Sequence, residues 1–227
     1  MHTATGQVIE LILQNGLRLA RISCPANLIP APGQYLLASH TSESPLPVPI
    51  FYTNSSPLGF IASGPISDGW NPGMELFLRG PLGRGFSLPA SARKVALVAF
   101  DDVPARLHGL ISPALRQGAG VVLITDHDAE SLPDEVEVQP TSTLAEALEW
   151  SDYIALDVAR ERLVELRECL GGMRRAWVGK EAQVLLRAPM PCGGVADCGV
   201  CAVTLRSGWE MACKDGPVFD LKDLPLS

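Results

Sequence analysis

The chain has 227 residues, 47% of them hydrophobic, enough to bury a sizeable core in more than one unit. Eighteen Lys and Arg against 25 Asp and Glu leave a net charge of −7, which argues against a nucleic-acid partner, because such a partner demands a basic face. No apolar run approaches the roughly 18 residues that span a bilayer. Nothing resembles a secretory signal, so a cytoplasmic, thiol-reducing setting is expected.

Residues 1–90 show short alternating or apolar runs separated by proline and glycine. Strands are expected at Gln7–Leu13, Leu17–Ser23, Gln34–Ser39, Pro49–Thr53, Leu58–Ser63 and Glu75–Arg79, with turn signals at Asn15-Gly16, Pro32-Gly33 and Asn71-Pro72-Gly73. Many short strands without a helix imply a small antiparallel barrel. From residue 91 to 181 strands alternate with helices. Lys94–Phe100, Gly120–Thr125, Glu135–Val138, Tyr153–Leu156 and Arg175–Val178 read as strands, the last as the final parallel one. Helices are expected at Pro104–Gln117, at Thr143–Trp150 capped by Thr143, and at Ala159–Leu170 ended by Gly171-Gly172. This alternation predicts a doubly wound α/β sheet.

Residues 182–227 carry four of the six cysteines. Cys192, Cys198, Cys201 and Cys213 follow a C-x5-C-x2-C-x11-C spacing, with Gly193, Gly194, Ala196 and Gly199 among them. Four thiolates that converge on an iron–sulfur core need small residues between them, because the backbone folds tightly around the sulfides. Structural zinc also takes four cysteines, though its ribbons usually pair two C-x2-C knuckles and this chain has one. Two disulfides suit short secreted chains instead. Cys24 and Cys169 stand alone and read as core fillers. His2, His40, His108 and His127 are scattered without metal-ligand spacing. Asp126, Asp128, Glu130, Asp134 and Glu135 read as a solvated acidic face rather than a calcium loop. No nucleophile elbow or triad pattern is present, so hydrolysis is not supported.

The run MPCGGVADCGVCAV followed by ACKDGPVFDL resembles the C-terminal cluster domain of the electron-transfer subunit of class B dihydroorotate dehydrogenases, in the ferredoxin–NADP reductase superfamily. Ala31-Pro32-Gly33-Gln34-Tyr35 is similar to a turn of flavin reductase barrels, and Gly80-Pro81-Leu82-Gly83-Arg84-Gly85-Phe86 to the element that ends this barrel in that subunit. The resemblance implies a [2Fe-2S] cluster on Cys192, Cys198, Cys201 and Cys213, although the family has four residues between the first two ligands and this chain has five. It implies that the turn Lys214 to Phe219 closes the site. It further implies FAD on the barrel, with Ile50, Phe51, Tyr52, Thr53, Gly80 and Gly83 as its neighbours; Phe51 and Tyr52 are also ordinary strand residues. Val48 stands where the family places a pyrophosphate-gripping arginine, and SGPISDGW, Ser63 to Trp70, lacks the family's helix-opening turn. NAD(H) is not expected, because Ala99 to Pro104 replaces the family's glycine-rich turn and brings Asp101 and Asp102 with it.

By the same resemblance the partner is a catalytic, FMN-containing subunit that oxidises dihydroorotate in pyrimidine synthesis. The loop from Cys192 to Cys201 then faces that subunit, and the chain relays single electrons without a catalytic residue of its own. A non-catalytic subunit stapled by a cluster or zinc, stabilising its partner, is the alternative.

Overall fold

A computed structural model describes residues 2–14, 16–40, 46–100, 104–129 and 132–225. Asn15, Asp101, Asp102, Val103 and Glu130, on which sequence expectations rested, lie outside the described residues.

Six antiparallel strands form the N-terminal unit: β1 (His2–Gln14), β2 (Leu17–Ser23), β3 (Tyr35–Ser39), β4 (Val48–Ser56), β5 (Gly59–Ser63) and β6 (Glu75–Leu82). They close into a barrel in the order β1-β2-β5-β4-β3-β6, so no strand edge is left to pair with another chain. Alternation along β6 sends Leu76 and Leu78 inward to join Ile22, Leu36, Ile50 and Phe60, all buried. Each such side chain contributes about 1.5–3 kcal/mol by leaving water.

The second unit is built on β7 (Lys94–Ala99), β8 (Gly120–Ile124), β9 (Val136–Gln139), β10 (Tyr153–Ala159) and β11 (Glu181–Arg187), all parallel. A hairpin follows, β12 (Ala202–Leu205) with β13 (Gly208–Met211), and then β14 (Val218–Asp220) returns to pair antiparallel with β11. The sheet order is β14-β11-β10-β7-β8-β9. It therefore takes strands from both sides of residue 181. Helices α1 (Ile111–Arg116), α2 (Leu144–Trp150), α3 (Leu163–Gly172) and α4 (Arg174–Trp177) complete the unit.

Four local expectations are corrected. The helix predicted over Pro104–Gln117 is broken into two 3-10 turns, Pro104–Arg106 and His108–Leu110, before α1. Gly109 explains the break: it weakens a helix, and its bare backbone lies against the Tyr52 ring, where a Cβ would stand 2.7 Å from Cδ1. The Thr143 hydroxyl does not cap α2 but donates to the Pro140 carbonyl (2.8 Å). Gly171 and Gly172 are the last two residues of α3 rather than the stop beyond it, and Met173 caps the helix. Arg175 to Val178 is not a strand. Arg174–Trp177 turns as α4, with Trp177 Nε1 donating to the Leu170 carbonyl at 3.1 Å. The more continuously apolar AQVLL run supplies the final parallel strand instead.

The motifs that marked the resemblance tie the end of the barrel together and join it to the second unit. Gln34 Nε2 donates to the Gly83 carbonyl (3.0 Å), the Phe86 amide to the Pro32 carbonyl (2.8 Å), and the Arg84 amide to the Gly216 carbonyl. Gly83 has φ +71°, and a Cβ there would stand 2.6 Å from both Gly216 O and Pro217 Cδ. The barrel's last turn therefore seats directly on the turn that follows Cys213. In the linker, the Ser87 amide donates to Gln183 Oε1 (2.8 Å), which also accepts from the Tyr153 hydroxyl (2.9 Å).

Candidate iron–sulfur site

All four C-terminal cysteines are free thiols and fall into two close pairs. Cys201 and Cys213 are buried, with sulfurs 3.2 Å apart; Cys192 and Cys198 lie nearer the surface, 3.5 Å apart. Among the described residues no three His, Cys, Asp or Glu side chains gather as a single-ion site. The loop folds this tightly because Gly193, Gly194 and Gly199 take positive φ of 52°, 83° and 72°, a region costly to other residues. Cys213 is carried in by β13 and its following turn, where the Met211 amide donates to Asp215 Oδ2 at 2.8 Å.

Thiolates, not thiols, bind metal. Burial is the largest single influence on Cys192 and raises its pKa. Backbone hydrogen bonds from Gly194 and Ala196, with the Cys198 and Cys213 thiols, outweigh it and bring the group down to about 7. Burial, then the Cys201 thiol, push Cys213 up to about 12; the cation of a bound metal centre is what would favour its ionised form. Four sulfur donors on a glycine-rich cradle, two shielded and two near solvent, fit an iron–sulfur group.

Side chains from both units hold this loop. Arg79 on β6 donates from Nη2 to the Cys192 carbonyl at 2.6 Å, and Arg160 after β10 from Nη1 to the Val200 carbonyl at 2.6 Å. The Tyr35 hydroxyl, fully buried, donates to the Cys213 carbonyl at 3.1 Å. Sequence reasoning missed all three roles; Tyr35 alone carried a signal, as the aromatic of the Pro-Gly-Gln-Tyr turn.

The other expected sites are more divided. In open α/β sheets a dinucleotide lies where strand order reverses, here between β7 and β10. That crevice holds Asp157, 1% exposed, whose carboxylate accepts from Arg106 Nε (2.7 Å; side chain 5% exposed) and Arg187 Nε (2.8 Å; 21%). The crevice's own cations are thus committed to a buried carboxylate, an arrangement that does not fit a pyrophosphate. A charge inside the apolar strand YIALDVA was the sequence signal for such a pairing.

Of the residues expected at a flavin, Ile50 points into the barrel core and Phe51 packs on Tyr35 with ring centroids 6.0 Å apart. Tyr52 stacks beside Phe60 and hydrogen-bonds Ser55 Oγ at 2.7 Å. Gly80 lies against Leu36, and Gly83 against Pro217. Thr53 differs: its Oγ1 is buried without a partner among the described residues, as is Ser63 Oγ, and Ser63 is the register partner of Phe51. Two unpartnered buried hydroxyls fit the polar edge of a ring ligand. No basic residue of β4 stands by to hold a pyrophosphate, and no helix forms between Ser63 and Trp70.

Residues 188–225 match the family described as the iron–sulfur cluster binding domain of dihydroorotate dehydrogenase B. No curated protein matches the chain by sequence. Among solved structures, the NADH-dependent reduced ferredoxin–NADP oxidoreductase studied for flavin-based electron bifurcation superimposes with a TM-score of 0.76 at 16% identity, over 98% of this chain and 90% of that one. The ferredoxin reductase of carbazole 1,9a-dioxygenase gives 0.59 at 20% identity over 76% of this chain; the match spans 64% of that protein's length. A ferredoxin–NADP+ reductase from Neisseria gonorrhoeae, solved with FAD and NADP, gives 0.55 at 14% identity over 75% and 91%. These identities establish the fold alone. No helix among the described residues is long and apolar enough to cross a membrane. Residues 188–225 thus match an iron–sulfur cluster binding domain of dihydroorotate dehydrogenase B, and the barrel and α/β sheet that carry them share the fold of these reductases.

Proposed function

We propose that this chain is the electron-transfer subunit of a dihydroorotate dehydrogenase-type complex of pyrimidine biosynthesis, acting in the cytoplasm. It relays electrons between a catalytic FMN-containing partner and an acceptor. The observation that carries the reading is the two close thiol pairs, Cys192 with Cys198 and Cys201 with Cys213, built from a glycine-rich loop and the turn after β13 in the segment matching that cluster domain. The organisation assigned is a barrel (1–90), a nucleotide-type α/β unit (91–181) and a cluster lobe (182–227).

A [2Fe-2S] cluster is the group assigned to the four thiols, and when bound it supplies a one-electron carrier. The protein's part is to fix and shield it. Cys201 and Cys213 hold the buried side against Val203, Leu205 and Ala212, while Cys198 keeps the opposite side near solvent, where a partner can approach. FAD is assigned to the barrel, where Thr53 and Ser63 offer hydroxyls to its ring edge; the residues do not fit its pyrophosphate, and no step is derived through it. NAD(H) is not assigned, given the Arg106–Asp157–Arg187 cluster in its crevice.

A second reading rests on the burial of Cys201 and Cys213 within the main core. A metal there staples the β12–β13 lobe to the sheet, and the chain stabilises its partner without carrying electrons. Protein purified without oxygen separates the two. Iron, sulfide and visible absorbance that bleaches on reduction support the relay; a colourless zinc protein contradicts it.

A further inference from the structure

The loop bearing the first two cysteines is seated on the barrel wall by one cation. Arg79 lies on β6 between β1 and β3, with Thr3 and Leu37 as its cross-strand partners. Its Nη2 donates to the carbonyls of both Cys192 (2.6 Å) and Gly193 (3.4 Å). The fit leaves no slack at Gly193, where φ is +52° and a Cβ would stand 2.5 Å from both Arg79 Nη2 and Leu37 Cδ1. Arg79, Thr3, Leu37 and Cys192 also share the wall of a cleft of about 570 Å³. Two other cations beside this loop are offset by carboxylates, Lys214 by Asp197 at 2.7 Å and Arg160 by Glu161 at 3.3 Å. Among the described residues, the hydrogen-bond partners of Arg79 are backbone carbonyls of the ligand loop and no carboxylate.

Resting on the relay reading above, we propose that Arg79 is a positioning residue for the cluster: it sets the loop that presents Cys192, and its fixed positive charge raises the cluster's reduction potential. A reduced cluster holds one more electron, so a cation held close by favours it over the oxidised form. The barrel thereby acts on the redox centre of another lobe, 113 residues away in sequence. Side chains and hydrogen bonds around the sulfurs are among the levers that tune such centres.

The test is redox titration of the full chain, followed by electron paramagnetic resonance, with iron and sulfide content measured alongside. Arg79→Gln is expected to keep its cluster while reduction becomes about tenfold less favourable, a shift of about −59 mV for a one-electron couple. Arg79→Lys, which keeps the charge, is expected to recover most of that shift. Thr3→Glu leaves the arginine in place and puts a carboxylate opposite it on an exposed position of β1, so it moves the potential in the same direction. It also carries the test by itself if Arg79→Gln does not fold. Equal potentials in Thr3→Glu and the unaltered protein overturn the proposal, as does an equal shift in the Lys and Gln variants. In both cases an intact cluster leaves the relay reading standing. An unaltered chain that binds no iron overturns that reading and this one with it.

Discussion

Replacing Asp157 with alanine removes the carboxylate that compensates two arginines at the sheet's reversal point. Arg106 and Asp157 are 5% and 1% exposed, and Arg187, at 21%, accounts for the other carboxylate oxygen. Breaking a buried pair from one side costs about 3–5 kcal/mol, because the surviving charge loses its counter-ion where water scarcely reaches it. In a chain of this size each kcal/mol moves the melting temperature by about 2–4 °C, so a fall of roughly 6–20 °C is expected in calorimetry. Replacing Asp157 and Arg106 together by leucine is expected to recover part of the loss, since the more deeply buried arginine goes with the carboxylate and the remaining one, Arg187, is 21% exposed. A single-variant fall below about 3 °C refutes the reasoning: it means that water already reaches the carboxylate and the crevice is open.

Three further outcomes follow from the same structure. Calorimetric titration with NADH is expected to show no binding, and micromolar affinity contradicts the reading of the filled crevice. His108, with a buried Nε2 that has no partner among the described residues, is lowered by burial from 6.5 to about 4. The unfolded chain therefore takes up a proton that the folded chain refuses, so stability is complete above about pH 6.5. It is lost as the pH falls towards 4, by up to about 3 kcal/mol; denaturant melts of His108→Gln lose that pH slope, and an unchanged slope contradicts the assignment. Gly83→Ala forces a Cβ to within 2.6 Å of Gly216 O and Pro217 Cδ at a positive φ. A loss of about 2–4 kcal/mol is expected, read by denaturant melts, and a change within 0.5 kcal/mol shows that the barrel and the Cys213 turn are not tightly seated.

The barrel was legible because its evidence is local. Period-two alternation and turns at Pro32-Gly33 and Asn71-Pro72-Gly73 locate all six strands, with β1 beginning at His2 rather than Gln7 and the other ends closer to their expected places. The cysteine loop was legible for the same reason, since its glycines and thiols lie within ten residues of one another, Cys213 excepted. The stretch around Trp177 was misread because Ala176, Trp177 and Val178 are as apolar as a strand, and tertiary packing settled it as a turn of helix. Arg79, Arg160 and the partners of Asp157 were illegible on other grounds. Each acts across 30 to 113 residues of sequence, and an arginine that meets a distant carbonyl looks, in sequence, like any solvated arginine.

The central claim is that four thiols jointly hold an iron–sulfur centre. It is tested most directly by iron and acid-labile sulfide content, with visible absorbance, in the anaerobically purified chain and in four single serine variants at Cys192, Cys198, Cys201 and Cys213. The account predicts about two irons and two sulfides per unaltered chain, and a loss of metal and colour in every variant, largest at the buried Cys201 and Cys213. Iron and colour that survive any one of these substitutions contradict it.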